Sequence, residues 1–134
     1  MGEYSSSFTE KEKKVLLSLI AIERITTLKL HKVFMDLNSI EKILELSIPE
    51  LAVYFGDNVE EIYTKLHNNM EFDFESYFEF YNVKYIFCDD IYYPKELFRT
   101  YDYPYGYCTQ KVGQNIQLFL FSILNFKVSK FYYF

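Results

Sequence analysis

The chain has 134 residues, enough for one ordinary domain or for a small domain with an added segment, and 50% of them are hydrophobic. That apolar share, beside 25% charged residues, excludes wholesale disorder. A net charge of -5 argues against a protein whose main task is gripping phosphates, since such proteins carry a basic face.

Helix-start signals recur at short intervals through the first part of the chain. Thr9 and Glu12 have capping-box spacing, and Val15, Leu16, Leu19 and Ile20 follow on one helical face. Thr26 or Thr27 can cap a second helix, whose stripe is Leu30, Val33, Phe34 and Leu37. Asn38 with Glu41 has the spacing for a short third helix carrying Ile40, Ile43 and Leu44. Ser47 and Glu50 frame a fourth, with Pro49 in its first turn and Gly56 placed to end it. Asp57 or Asn58 opens a fifth, with Val59, Ile62, Tyr63 and Leu66 inward, and Phe74, Tyr77, Phe78 and Tyr81 mark a sixth. No stripe of this kind can bury itself alone, so the spacing predicts a compact helical bundle over residues 9–81.

The period then changes. Val83 to Cys88 is β-branched and aromatic, stopped by Asp89-Asp90, and reads as a strand buried on most of both faces. Tyr93-Pro94 begins a short helix with Leu97 and Phe98 apolar, and Tyr101 to Gly106 is turn-like. A strand without a partner leaves backbone groups unpaired, so residues 83–134 are expected to be poorly ordered unless the tail supplies a second strand. Residues 118–134 are nearly all apolar and carry two lysines and no acid. They sit at the lower limit of a membrane span in length, and the lysines interrupt them. A strand with an amphipathic remnant fits them, and so does an out-of-frame terminus, which is preferred.

Aromatics make up 21% of the chain, with 14 Tyr, 14 Phe and no Trp. Together with Asn, Ile and Lys in place of Ala, Gly and Arg, that excess reads as AT-rich coding before it reads as a base-stacking platform. Lys11, Lys13 and Lys14 are interleaved with Glu10 and Glu12, an ordinary helix surface. The run from Phe72 to Tyr81 has helical spacing and reads as core packing. Asp89 and Asp90 could pair for metal or acid–base work, but a solvated, capping turn is the simpler reading. His31 and His67 stand on separate helices without ligand spacing and read as structural. Cys88 ends the strand, and Cys108, read as a loop residue near Lys111, could be a reactive thiol only if a cation lowered its pKa. Neither belongs to a CxxC pair, and free thiols suit a reducing cytoplasm. Ser5, Ser6 and Ser7 form a flexible leader, and Met1 to Ser7 lacks the features of a signal peptide. No catalytic, cofactor or metal constellation emerges.

The order of these elements resembles the DNA-processing protein A (DprA/Smf) family over roughly residues 12–106. The resemblance rests on the strand Val83 to Cys88, the acidic turn Asp89-Asp90, the run Tyr93-Pro94-Lys95-Glu96-Leu97, and Asp102-Tyr103-Pro104 in place of an Asp-Pro-Pro stretch. Upstream, Val15 to Ile25 is similar to the family's leading helix and Asn38-Ser39-Ile40 to its turn into a third helix. The resemblance implies a mainly α chain: a sterile-alpha-motif-like (SAM-like) or helix-hairpin-helix-like domain at 9–81 and an incomplete α/β, Rossmann-type segment at 82–117, after which the atypical apolar tail at 118–134 lies outside the resemblance. It also implies a non-enzymatic role in DNA-mediated transformation, with single-stranded DNA and a recombinase as partners, no cofactor and no membrane. Asp89, Asp90, Tyr93, Pro94, Leu97, Asp102 and Pro104 are then structural motif residues. Two departures lower the expected activity. The first hairpin, Ile25-Thr26-Thr27, has no glycine to let its backbone approach a phosphate. No Gly-Ser-Arg-type loop follows Gly106, and Gly113 stands alone in its segment. The expectation is a truncated or frameshifted front part with weak or lost DNA binding. The alternative is a small helical protein-interaction domain without a nucleic-acid role.

Overall fold

The computed structural model describes residues 8–112, 115–122 and 127–133, with side chains described for 8–109. Ser5 to Ser7, Gly113 and part of the apolar tail therefore lie outside the described residues.

The helices begin where short polar side chains can take up free amides. Helix α1 (Glu10–Ile20) opens on a complete capping box: Thr9 Oγ1 accepts from Glu12 N at 3.0 Å, and the Glu12 carboxylate accepts from Thr9 N at 2.8 Å. Helix α2 (Thr27–Leu37) opens on Thr26, whose hydroxyl accepts from Lys29 N. Helix α3 (Ile48–Phe55) has the Ser47–Glu50 box with Pro49 in its first turn, and it stops at Gly56, where φ is 71°. Helix α4 spans Val59–Asn69, and α5 (Phe74–Phe80) is capped by Asp73, which accepts from Ser76 N. The expected third helix is instead a 3-10 turn over Glu41–Glu45. Asn38 does not cap it. That residue ends α2 in the left-handed region at φ 53°, a conformation asparagine tolerates, and Ser39 Oγ accepts from Lys42 N.

The apolar stripes of α1 to α4 meet in one cluster, with Val15, Leu16, Leu19, Val33, Leu51 and Leu66 sealed from solvent. Buried Asn69 donates from Nδ2 to the Ser18 carbonyl at 2.9 Å, tying α4 to α1 without an unpaired polar group.

After the helices come four strands, β1 (Lys84–Phe87), β2 (Gly106–Val112), β3 (Asn115–Ser122) and β4 (Lys127–Tyr133), forming one sheet in the order β1-β2-β3-β4. Every pairing is antiparallel. The chain is thus mainly helical with an antiparallel sheet, and parallel Rossmann-type pairing is not found among the described strands. The connections explain this. Residues 113–114 join β2 to β3 and 123–126 join β3 to β4, whereas a parallel crossover needs about a dozen residues or more. β1 has a partner in β2, and β3 runs across position 118, so much of the apolar tail is paired strand. A register irregularity lies at Leu120/Phe121.

The register puts alternate residues on opposite faces of the β1–β2 pair. Tyr85, Phe87 and Cys108 turn toward Leu17 of α1, Ala21 at its C-terminal cap, and Phe74 and Phe78 of α5. Ile86, Cys88 and Tyr107 turn the other way, toward Tyr93 and Leu97. β1 is half-buried rather than sealed on both faces, because its Lys84 end is exposed. No described helix is long and apolar enough to cross a membrane.

Candidate functional site

The segment between β1 and β2 contains all seven motif residues, and the structure gives most of them backbone partners. Asp90 N donates to Phe87 O and Tyr93 N to Asp90 O, closing a tight turn. The Asp90 carboxylate accepts from Tyr92 N at 2.8 Å, and Asp89 accepts from Phe8 N at 3.2 Å. Asp90 therefore serves the turn after β1, whereas Asp89 ties that turn to the residue ahead of the α1 cap. Pro94 is extended and leads a 3-10 turn over Lys95–Arg99, in which Leu97 N donates to Pro94 O. Tyr93, 2% exposed, donates its hydroxyl proton to the Pro104 carbonyl. Tyr107 donates in return to Tyr92 O at 3.0 Å, and its burial pushes its pKa up to about 12. Asp102 is exposed.

This segment is stapled to the bundle by His31 of α2. Its Nε2 lies 2.9 Å from Tyr103 O, which can only accept, so Nε2 carries the proton. Nδ1 then accepts from the Tyr105 hydroxyl at 2.8 Å. The imidazole also lies against both rings, with centroids at 4.3 Å for Tyr103 and 4.5 Å for Tyr105. Tyr105 continues inward to an edge contact with Phe34, and burial raises its pKa. Nothing in the spacing of His31 pointed to these partners, which lie more than seventy residues away. His67 packs on the Tyr63 ring at 4.4 Å. No group of three or more His, Cys, Asp and Glu that could hold a metal occurs among the described residues.

In the α1–α2 hairpin three backbone amides have carbonyl partners within the turn. Ala21 N donates to Leu17 O, Ile22 N to Leu19 O and Ile25 N to Ile22 O, while Thr26 takes up Lys29 N.

The thiols differ from the expectation for Cys108. That residue lies in β2 rather than a loop, buried, and burial raises its pKa, which disfavours the thiolate. The Cys88 thiol is pushed up to about 11, mainly by burial and then by Asp89. The two cysteines face opposite sides of the sheet and are both free.

The described surface includes two depressions. One, of about 780 Å³, lies between α1, α5 and β1. The other, of about 520 Å³, runs along α2, where Leu28, Met35 and Tyr101 stand exposed beside Lys29 and Lys32. The three lysines of α1 have partners within the chain: Lys11 lies 3.7 Å from Glu41, Lys13 lies 3.7 Å from Glu10, and Lys14 donates to Phe72 O.

No family model, no curated protein and no solved structure matches the chain.

Proposed function

We propose that this chain carries a SAM-like helical domain and the Tyr-Pro segment of a protein of the DNA-processing protein A type, acting by binding rather than by chemical catalysis. The observation that carries the reading is the bond from Tyr93 to Pro104. These two residues come from separate pieces of the motif, and their pairing gives the motif a physical reason: the Tyr-Pro run and the Pro-containing stretch lock onto each other. The family's role implies single-stranded DNA and a recombinase as partners in DNA-mediated transformation. The antiparallel sheet lends no support to the Rossmann-type part of the resemblance.

Within that reading, the described part of the chain is a weak DNA binder. Its balance is acidic, its first hairpin has no glycine, and the lysines of α1 have partners within the chain. Free cysteines on opposite sheet faces suit the cytoplasm. Fluorescence anisotropy with a labelled single-stranded oligonucleotide at physiological salt tests the binding claim. No saturation below roughly 10 µM is expected, and submicromolar affinity would overturn it.

A second reading, a helical protein-interaction module, draws on the exposed side chains of α2 and its neighbour. Met35 is 80% exposed and Tyr101 79%, and they share one depression. A pull-down with purified recombinase separates the two: capture of the recombinase favours the first reading, and its absence the second.

A further inference from the structure

The larger depression has an apolar floor and charged walls. Leu17 of α1, Phe74 and Phe78 of α5, and Val83, Tyr85 and Phe87 at β1 line its base. Five carboxylates, Glu10, Asp73, Glu75, Glu79 and Asp90, stand around it against three lysines, Lys13, Lys14 and Lys84. Glu10 lies 3.7 Å from Lys13, Asp73 caps α5 and Asp90 accepts from Tyr92 N, so Glu75 and Glu79 are the pair that faces a newcomer. Two of those lysines already lean on the floor. Lys13 Nζ lies 5.6 Å from the Phe87 ring centroid, and Lys14 Nζ lies 5.7 Å from that of Phe74. The rings are therefore surfaces on which an alkylammonium group rests favourably. Glu75 and Glu79 are exposed one helical turn apart on α5, where they can meet further cations.

An occupant rich in phosphate or carboxylate would meet this acidic excess at close range. An occupant with apolar side chains for the floor and basic ones for the walls meets complementary groups on both counts. The volume of about 780 Å³ suits a few side chains from one segment rather than a whole domain face. We propose that the groove between α1, α5 and β1 docks a peptide segment of a partner protein that carries both apolar and basic side chains. The proposal does not rest on the family reading.

The test is a ¹⁵N–¹H NMR titration of the full chain with two synthetic amphipathic peptides of equal length. One carries Leu on one face and Arg on its flanks; the other is its twin, with Glu replacing Arg. Saturable shifts confined to α1, α5 and β1 are expected for the Arg peptide, with Kd below roughly 100 µM and about tenfold weaker binding for the Glu twin. The variant Glu75→Lys/Glu79→Lys, altered only at exposed positions, should weaken the Arg peptide by about tenfold while leaving helical circular dichroism unchanged. Equal binding of both peptides, shifts centred on α2, or no saturation by about 1 mM would overturn the proposal. So would concentration-dependent broadening of the groove signals without peptide, which would put a second copy of the chain there.

Discussion

Replacing His31 with alanine tests whether the bundle and the segment after β1 are held together as described. The imidazole makes two hydrogen bonds, to Tyr103 O at 2.9 Å and from Tyr105 Oη at 2.8 Å, and lies against both tyrosine rings. Each bond contributes about 0.5–1.5 kcal/mol net. Removing the acceptor also strands the hydroxyl of Tyr105, which is 8% exposed, at a desolvation cost of about 1–3 kcal/mol unless water enters. His31 is only half-buried, so water can replace part of what is lost. His31→Ala should therefore destabilise the chain by about 2–4 kcal/mol. Tyr105→Phe removes the hydroxyl together with its need for a partner, and should cost about 1 kcal/mol. The double variant should cost less than the sum, with a coupling of about 1 kcal/mol or more in the cycle. Urea unfolding followed by far-ultraviolet circular dichroism gives all the terms. A single-variant loss below about 0.5 kcal/mol, or strict additivity, would refute the staple.

Gly106 pairs with Phe87 across the ladder, and a Cβ there would collide with the Tyr85 ring. Gly106→Ala should lower stability by about 1–3 kcal/mol, and Tyr85→Val in the same chain should restore part of the loss; thermal melts of the single and double variants check this. The thiols give a pH prediction. The Cys88 pKa is raised from 9.0 to about 11 in the folded chain, so the neutral thiol is favoured there relative to the unfolded chain. Stability from this source is present below pH 9 and is lost as pH rises from 9 toward 11. Buried Cys108 and Tyr85, both raised, act in the same direction. Urea midpoints measured between pH 7 and 11 should fall only over the alkaline range, and a midpoint that rose there would contradict the assignment. At pH 8 both thiols should label slowly with an alkylating reagent in the native chain and quickly in urea.

The helices were legible because their signals are local. Thr9 with Glu12 and Ser47 with Glu50 close their boxes within one turn, and the stripes of α1 to α4 depend on spacings of three and four residues. Where two local signals competed, the spacing alone misled. Asn38 has both the spacing of an N-cap and the tolerance for positive φ that ends a helix, and the second prevailed. The sheet was less legible. β2 reads Gly-Tyr-Cys-Thr-Gln-Lys-Val, a mixture without a clean alternation, and only its register against β1 makes Cys108 a buried strand residue. The antiparallel direction follows from the short connections once β2 and β3 are recognised as strands. His31 was out of reach, because nothing near it in sequence says that Tyr103 and Tyr105 will arrive beside it.

The residues behind the family resemblance are mostly engaged in holding the segment's own backbone. Asp90 accepts an amide proton within the turn and Asp89 one from Phe8, Tyr93 binds Pro104, and Leu97 packs against the Tyr93 and Tyr107 pair. A motif used in this way specifies a joint and leaves the chemistry of recognition to other surfaces. Two such surfaces are described, and they differ in sign. The groove at α1, α5 and β1 has an excess of carboxylates, while the face of α2 offers Lys29 and Lys32 against Asp36 beside Met35 and Tyr101. Of these two surfaces, a phosphate-bearing ligand matches α2 better and a basic segment the groove. Charge reversal at Lys29 and Lys32 should leave peptide binding in the groove untouched, because the two surfaces share no lining residue.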